Sequence, residues 1–308
     1  MSGAAGVTLD QLRIFVAVAE RQHVTRAAQA LNLAQSAASA AIAALEAQYA
    51  TPLFHRVGRG IELTEAGRVF LGEARAVLAR AEAAELALAE LGGLRRGVLN
   101  VHASQTIASY WLPRHLVAFH RAWPDVEIRM TAGNTAQVAA AVADGAAELG
   151  FVEGAVAHAA LIGTVIARDR LVLVVGPEHP WARAEAVAPA DLLRTEWVLR
   201  EPGSGTRSAF ETAWVEKFGL ALGRLVVALE LPTNEAVRAA VEAGLGATVI
   251  SASVAAPGLE AGLLRLVGIP FPERAYRVLR HRDRVPGRAA EGLLGLVAAG
   301  GRVGKGRG

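Results

Sequence analysis

The chain has 308 residues, more than one typical domain of roughly 100–200 residues, so two or three domains are expected. Its 53% apolar and 20% charged residues exclude a disordered protein, and no apolar run reaches the roughly 18 residues that a membrane span needs. The absence of cysteine excludes disulfides and cysteine chemistry, and the eight histidines lack metal-ligand spacing. We therefore expect no metal and no cofactor.

The excess positive charge lies at the C-terminal end. Residues 1–65 carry equal numbers of basic and acidic side chains, whereas residues 274–308 carry nine basic against two acidic ones. The glycine-rich, basic residues 304–308 are interpreted as a disordered tail, with a nucleic-acid-binding arm as the alternative. The N-terminal segment has neither the basic region nor the apolar region of a signal peptide, so a cytoplasmic location is expected.

Three short helices are predicted at the start of the chain. Apolar residues recur at helical spacing from Leu9 to Glu20, which indicates the first helix. Thr25 is suited to cap a second helix, and Asn32 to form the left-handed turn that ends it. A third helix is expected over residues 35–49. Two helices joined by a turn of three to four residues form a helix-turn-helix.

A two-stranded hairpin is predicted after the third helix. Pro52 breaks that helix, and short apolar runs flank the sequence HRVGRG, whose glycines permit a tight turn. The turn would present Arg56 and Arg59, two guanidinium groups suited to DNA phosphates. Residues 8–65 are therefore predicted to form a winged helix-turn-helix.

This region resembles the DNA-binding domain of LysR-type transcriptional regulators. The matching residues are the alanine pair Ala27-Ala28, Gln35-Ser36, Ser39, Leu45-Glu46, Pro52-Leu53-Phe54, Arg56 and Leu63-Thr64-Glu65-Ala66-Gly67. The resemblance implies that the third helix enters the major groove of an operator in double-stranded DNA. Any three-helix domain also needs an apolar third helix, but that alternative does not account for the arginine pair of the wing.

The resemblance also implies roles for six side chains. Gln35, Ser36 and Ser39 would contact base edges. Arg26, Arg56 and Arg59 would contact phosphates and make the affinity salt-dependent. Many relatives carry a basic residue just after the serine of the third helix, where this chain has two alanines. Groove shape is therefore expected to carry part of the specificity.

Residues 66–92 are predicted to form one long linker helix of roughly 40 Å. Thr64 would cap its start, and a glycine pair would end it. Apolar residues recur in heptads at Phe70, Ala74, Val77, Ala81, Ala84, Leu88 and Leu91. This seam predicts a helix pair between two chains, as in the resembled family, and hence a homodimer or homotetramer. The alternative is a helix that packs on its own domain.

Strand-like and helix-like segments alternate over residues 97–303, which predicts an α/β domain. The pattern resembles the two-lobed, periplasmic-binding-protein-like effector domain of the same family. We expect lobe 1 at residues 97–167 and 275–303 and lobe 2 at 168–274, with crossings near Ala167 and Arg274. The fold class is thus an N-terminal all-α winged helix-turn-helix with a linker helix, followed by a C-terminal α/β effector domain.

Small polar residues follow three predicted strands of this domain and open the next helices. These residues are Ser104, Gln105, Thr106, Asn134, Thr135, Ser204 and Thr206, with Thr233-Asn234 as a weaker fourth set. Helix N-termini bind anions, so the convergence predicts an anionic effector, although helix capping explains each set taken singly. Glu153, also a predicted site residue, and Glu201 would oppose a dianion unless they are protonated or paired with Arg200 or Arg207.

The segments GNTAQV, LGFVEG and REPGSGTR resemble a subgroup that controls sulfur-assimilation or carbon-fixation genes. This implies an anion such as sulfite, sulfate or a sugar phosphate as the effector, with RNA polymerase as a further candidate partner. Two other function classes fit the sequence less well. An enzyme is disfavoured because neither a GxxxxGK[ST] loop nor a GxSxG elbow occurs, and a solute-binding protein is disfavoured by the DNA-binding region.

Overall fold

A computed structural model describes residues 6–57, 60–91 and 97–303, without the side chains of residues 82, 83, 85–91 and 300–303. The chain divides into two compact units, an N-terminal unit within residues 6–91 and a C-terminal unit that begins at residue 97. The predicted tail at 304–308 and the predicted phosphate contact Arg59 lie outside the described residues. No helix in the described ranges is long and apolar enough to cross a membrane.

The N-terminal unit is a helix-turn-helix followed by a wing and a long helix. Its elements are α1 (Leu9–Arg21), α2 (Val24–Ala30), α3 (Gln35–Tyr49), β1 (Phe54–Val57), β2 (Gly60–Leu63) and α4 (Glu65–Leu91). Asn32 has a φ of 55°, which confirms the left-handed turn before α3. Thr25 does not cap α2, because that helix already begins at Val24 and its N-cap is His23, whose Nδ1 accepts from the Arg26 N–H.

Phe15 of α1 is the centre of the N-terminal core. Its ring lies 5.4 Å from that of Phe54 in β1 and 4.8 Å from that of Phe70 in α4. From α3, Ala38 and Leu45 enter the same core and are fully or almost fully buried. These contacts attach both the wing and the long helix to the three-helix domain, and burial of large apolar side chains such as Phe15 and Leu45 contributes about 1.5–3 kcal/mol each.

Part of the predicted heptad seam packs inside the N-terminal unit. Phe70 contacts Phe15, and Ala74 is fully buried in the same core. Val77, by contrast, is 47% exposed, and Val69 is 68% exposed. The side chains of Leu88 and Leu91 lie outside the described residues. Phe70 and Ala74 therefore pack on their own domain, whereas Val69 and Val77 leave apolar surface exposed on the same part of α4.

The C-terminal unit is built around one sheet of nine described strands. The strands are β3 (Gly97–Ser104), β4 (Val126–Gly133), β5 (Leu149–Glu153), β6 (Leu161–Val175), β7 (Trp197–Arg200), β8 (Val227–Leu231), β9 (Ala247–Ser251), β10 (Arg265–Val267) and β11 (Glu273–His281). Their order is β4-β3-β5-β11-β6-β9-β7-β8, and β10 also pairs with β6. The α/β class is confirmed.

Helices cover both faces of this sheet. They are α5 (Pro113–Ala122), α6 (Thr135–Asp144), α7 (Gly205–Thr212), α8 (Asn234–Glu242), α9 (Ala252–Glu260) and α10 (Arg288–Val303), with π-helical turns at Ile107–Trp111 and Ala213–Lys217 and 3-10 turns at Pro180–Arg183, Pro189–Arg194 and Leu222–Arg224. The helical stretch after β3 is divided into the turn Ile107–Trp111 and α5, because Pro113 lacks an N–H and starts a new helix. Sequence reading missed α9, which contains Pro257.

Two lobes share the antiparallel strands β6 and β11. Lobe 1 contains β3, β4 and β5, which run parallel, and lobe 2 contains the parallel pair β7 and β8 beside β9. The chain passes between the lobes within β6 and β11, where Asp169 is paired in register with Arg274 and Ala167 with Tyr276. Because the carboxyl ends of β3, β5, β7 and β9 point toward this crossing, the loops that follow them meet there.

Candidate DNA-binding and effector sites

The N-terminal end of α3 presents polar side chains to solvent. Gln35 and Ser36 are exposed and Ser39 is half-buried, whereas Ala38 on the opposite face is fully buried. The Gln35 amide Nε2 donates to the Ser39 hydroxyl at 2.9 Å, so these two predicted base contacts form one surface. The helix begins at Gln35 without a side-chain cap, which leaves its first N–H groups free for a ligand.

Two of the three predicted phosphate contacts are free cations. Arg26 on α2 and Arg56 on β1 are exposed, and neither guanidinium has an ion-pair partner among the described residues. Arg13 and Arg75, in contrast, pair with Asp10 and Glu20 at 2.9 Å. Arg26 and Arg56, two of the three cations that the resemblance assigns to DNA, are therefore not neutralised by the described residues.

Glu46 connects α3 to the wing. Its Oε1 accepts hydrogen bonds from the backbone N–H groups of Leu53 at 2.7 Å and Phe54 at 3.1 Å. The sequence match included Glu46 without indicating a role for it. The contact fixes the start of β1 relative to α3, and hence the position of Arg56 relative to the helix.

Arg274 lies at the centre of the C-terminal unit and contacts both lobes. It is 5% exposed, and its Nε donates to Asp169 Oδ2 at 2.8 Å. Its Nη1 donates to the Thr206 hydroxyl of lobe 2 at 2.9 Å, and its Nη2 lies 3.5 Å from the Thr106 hydroxyl of lobe 1. Two predicted effector contacts from different lobes thus share one guanidinium.

Asn234 extends this network toward α8. Its Nδ2 donates to Thr106 Oγ1 at 3.0 Å, and its Oδ1 accepts from Arg200 Nη1 at 2.7 Å. Gln105 of lobe 1 reaches the same turn: its Nε2 donates to the Pro232 carbonyl at 3.0 Å, and its Oε1 accepts from the Asn234 N–H at 3.2 Å. Asn234, which belongs to the weaker fourth set predicted from the sequence, therefore lies at the centre of the candidate site.

The start of α6 meets the start of α7 on the other side of the crossing. Asn134 Nδ2 donates to Glu201 Oε1 at 3.2 Å, and Thr135 Oγ1 donates to Glu153 Oε2 at 3.3 Å. A Cβ built on Gly205 would lie 2.7 Å from Thr135 Oγ1, which only glycine avoids. The lobes are therefore in direct contact here.

Some of the predicted effector residues cap helices, and others do not. Asn134 Oδ1 accepts from the Gln137 N–H at 3.0 Å, so Asn134 is a cap of α6, as the alternative interpretation proposed. Ser204 precedes α7 but makes no side-chain capping bond. Ser104 is 2% exposed, and its hydroxyl has no hydrogen-bond partner. An unsatisfied buried hydroxyl at a strand end points to a missing partner.

The two glutamates differ in how well they are paired. Glu201 forms a two-point contact with Arg200, from Nε at 2.8 Å and from Nη2 at 3.0 Å. Glu153 is 3% exposed and lies 3.9 Å from Arg274 Nη2. Arg207 does not pair with either of them; it contacts Glu211 and Glu230.

Sequence reasoning missed the role of the Arg274–Asp169 pair and identified Arg274 only as a crossing point. Asp169 is also held by the Ser251 hydroxyl, which donates to its Oδ1 at 2.7 Å. Burial, with the negative charge of Asp169 as a second cause, raises the pKa of the neighbouring Tyr276, so this phenol stays neutral. An isolated Asp and an isolated Arg, 105 residues apart, give no local signal of such a pair.

A cavity of about 470 Å³ adjoins this network. Its walls include Thr135, Glu153, Gly205, Thr212, Glu216 and Arg274. Of the predicted effector residues, Thr135 and Glu153 line it. The volume is suited to a small molecule. No group of three or more metal-ligating side chains is found in the described ranges.

Comparison with known proteins agrees with these two units. Residues 9–68 match the family described as bacterial regulatory helix-turn-helix protein, lysR family, and residues 92–302 match the LysR substrate binding domain. The chain belongs to the LysR family. It is 34% identical to the HTH-type transcriptional regulator YeiE of Escherichia coli K12, over 90% of this chain and 92% of that protein.

Other relatives of this LysR-family protein include a probable RuBisCO transcriptional regulator of Cyanidioschyzon merolae, 36% identical over 85% of this chain and 87% of that protein. The full-length CbnR structure complexed with its target DNA has a TM-score of 0.67 at 24% identity and covers 95% of this chain and 99% of that one. The predicted family and fold are thus confirmed, with carbon-fixation regulators among the relatives. A link to sulfur assimilation stays a prediction.

Proposed function

We propose that this LysR-family DNA-binding regulator responds to a small oxyanion bound between the lobes of its effector domain. One observation carries the proposal: Arg274, a buried cation, contacts a threonine hydroxyl of each lobe. Two residues before the lobe 1 threonine, the buried Ser104 hydroxyl has no hydrogen-bond partner. A cation and several hydroxyl and N–H donors at one point suit an oxyanion. Neither an enzyme nor a solute-binding protein would need the unpaired guanidinium of Arg56 in the wing.

DNA binding is assigned to α3 and the wing. Gln35, Ser36 and Ser39 are proposed to contact base edges, and the unpaired guanidinium groups of Arg26 and Arg56 are proposed to contact phosphates. Arg59 remains a proposed phosphate contact. CbnR, which shares the fold, was solved with its target DNA.

Arg56→Ala is expected to weaken binding to duplex DNA of any sequence, because it removes a phosphate contact. The slope of log affinity against log salt concentration should become shallower by about 0.9. Fluorescence anisotropy with a duplex of arbitrary sequence, titrated at several salt concentrations, measures both quantities. Arg13→Ala is the control, since Arg13 is exposed but paired with Asp10. Equal slopes for the wild type and Arg56→Ala would remove Arg56 from the interface.

The oxyanion is proposed to bind near Arg274, which contacts Thr106 and Thr206, with Ser104 and Ser204 each two residues before these threonines in the chain. Each of these four hydroxyl residues is at most 3% exposed. Ser104 has no hydrogen-bond partner, so its hydroxyl is available to a ligand, and Ser204 makes no capping bond. Gln105, Asn134, Thr135 and Glu153 would complete the surroundings, and sulfite, sulfate and sugar phosphates are the anions to test.

The saturable rise in melting temperature that an anion causes is the test of this site. A ligand at about 100 times its Kd adds about 2.7 kcal/mol to the free energy of unfolding. The rise should disappear in the double variant Ser104→Ala/Thr206→Ala and persist in Thr131→Ala, which changes an exposed threonine. Each variant is compared with its own anion-free melting temperature. If no anion in the panel raises the melting temperature of the wild type, the effector is not an oxyanion.

Regulation is proposed to follow a shift between two arrangements of the lobes. The contacts of Asn134 with Glu201 and of Gln105 with Pro232 hold the lobes together in this structure. An effector shifts that equilibrium only if it binds the two arrangements unequally. The spacing of paired DNA-binding units would then change and alter the operator bend.

A two-fold assembly in the cytoplasm is proposed as well. Val69 and Val77 of α4 are exposed, and an apolar groove of about 580 Å³ lies beside the helix, lined by Leu45, Tyr49 and Phe70 among others. A second copy could cover these side chains and form a homodimer, and two dimers a homotetramer. RNA polymerase stays a candidate partner.

A further inference from the structure

Glu153 is a buried carboxylate with few hydrogen-bond donors. Its side chain is 2% exposed, the Thr135 hydroxyl donates to its Oε2 at 3.3 Å, and Arg274 Nη2 lies 3.9 Å from its Oε1. The shorter bonds of Arg274 go to Asp169 and Thr206. An ionised carboxylate offers about four acceptor sites, and buried acceptors are normally satisfied. Acceptor capacity therefore remains at Glu153.

The Glu153 side chain lines the cavity in which a ligand would bind. Glu153 and Arg274 both line the 470 Å³ cavity, and Thr135 and Gly205 stand beside them. The backbone of Gly205 approaches so closely that an added Cβ would lie 3.1 Å from Glu153 Cβ. A small molecule in this cavity can contact the carboxylate of Glu153 and the guanidinium of Arg274 together.

The charges around the site are already negative in sum. Two guanidinium groups, of Arg200 and Arg274, stand among three carboxylates, of Glu153, Asp169 and Glu201. The remaining titratable groups near Glu153 are Tyr276 and Glu273 on β11 and Glu216 and Lys217 across the cavity. A fully ionised dianion would bring an oxygen without a proton against the Glu153 carboxylate, and both are acceptors.

We propose, building on the oxyanion site above, that Glu153 selects effectors that keep one acidic proton at neutral pH. The O–H of the ligand donates to a Glu153 carboxylate oxygen, while its charged oxygens face the Arg274 guanidinium, which lines the same cavity. Phosphate, phosphate monoesters and sulfite can carry such a proton near neutral pH. Sulfate cannot. The specificity is therefore for a protonatable oxyanion rather than for oxyanions in general.

Discrimination against sulfate is the expected result with the unaltered protein. A sulfate oxygen has no proton to donate to the buried Glu153 carboxylate. Sulfate therefore lacks a hydrogen bond to a charged group, which corresponds to about 10-fold or more in affinity. Isothermal titration of the full-length protein with phosphate, sulfite and sulfate at pH 6, 7 and 8 measures this ratio. Affinity for phosphate and sulfite should also fall as pH rises and their proton is lost.

Glu153→Gln should reduce the discrimination to less than about 3-fold, because the glutamine amide N–H can donate to a sulfate oxygen. Glu273→Gln is the matched control, since Glu273 lines the same cavity but is exposed, and it should keep the wild-type ratio. If the wild type binds none of the three anions, the oxyanion site itself is wrong. If it binds sulfate as tightly as phosphate, the site stands and the role of Glu153 is overturned. Should Glu153→Gln fail to fold, the wild-type comparison still decides.

Discussion

Arg274→Met is expected to lower the free energy of unfolding of the C-terminal unit by about 3–5 kcal/mol, because it leaves the buried Asp169 charge without its cation. Arg274 supplies two contacts to Asp169 Oδ2, at 2.7 Å and 2.8 Å, and one to Thr206. Among the side chains of the described residues, only the Ser251 hydroxyl would still donate to Asp169. So large a loss approaches the whole stability of many domains. Urea unfolding followed by tryptophan fluorescence measures it.

Two further variants separate the charge effect from a general effect of losing an arginine. Arg170→Met changes an exposed residue of the same strand pair and should alter the stability by less than about 0.5 kcal/mol. Arg274→Met combined with Asp169→Leu removes both charges and should regain most of the loss. A loss below about 1 kcal/mol for Arg274→Met alone would show that the pair contributes little.

Gly67→Ala is expected to destabilise the N-terminal unit by about 3 kcal/mol or more and to abolish DNA binding at physiological temperature. A Cβ at this position would lie 2.1 Å from the Leu53 carbonyl oxygen and 2.9 Å from Leu63 Cδ2. Overpacking alone costs about 1–3 kcal/mol, and here the obstacle includes backbone that cannot rotate away. The clash would force α4 away from the wing.

Gly72→Ala provides the control on the same helix. A Cβ there meets no atom closer than 3.9 Å, so the change should stabilise the helix by up to about 1 kcal/mol. Thermal unfolding and DNA binding by anisotropy are measured for both variants. A Gly67→Ala protein that melts with the wild type would mean that α4 tolerates a shift at this point.

Local patterns predicted several elements correctly. The third helix was expected over residues 35–49 and lies at Gln35–Tyr49, because its apolar side chains recur with the helical period. Asn32 was expected in the left-handed turn and has a positive φ. Thr25 was misassigned because two polar residues near the turn could cap, and the backbone begins the helix at Val24.

The effector site was predicted only in part. Strand ends followed by small polar residues indicated which loops face the crossing, and Thr106 and Thr206 do share a contact with Arg274. The sequence could not distinguish Asn134, which caps its own helix, from Ser104, whose hydroxyl has no partner. Capping depends on one local turn, whereas an unpaired hydroxyl depends on every neighbour in space. The roles of these residues in effector binding stay predictions.

The sequence by itself determined the family, through the resemblance of its motifs. It also determined the helix-turn-helix, the wing and the alternation of an α/β domain, because these follow from short-range periodicity and turn chemistry. Only the tertiary structure decided how Arg274 is used, since its partners Thr106, Asp169 and Thr206 come from three distant segments. It also decided that Phe70 and Ala74 pack into their own domain while Val77 stays exposed. A heptad pattern shows which residues are apolar, whereas their burial depends on which other surface packs against them in the folded protein.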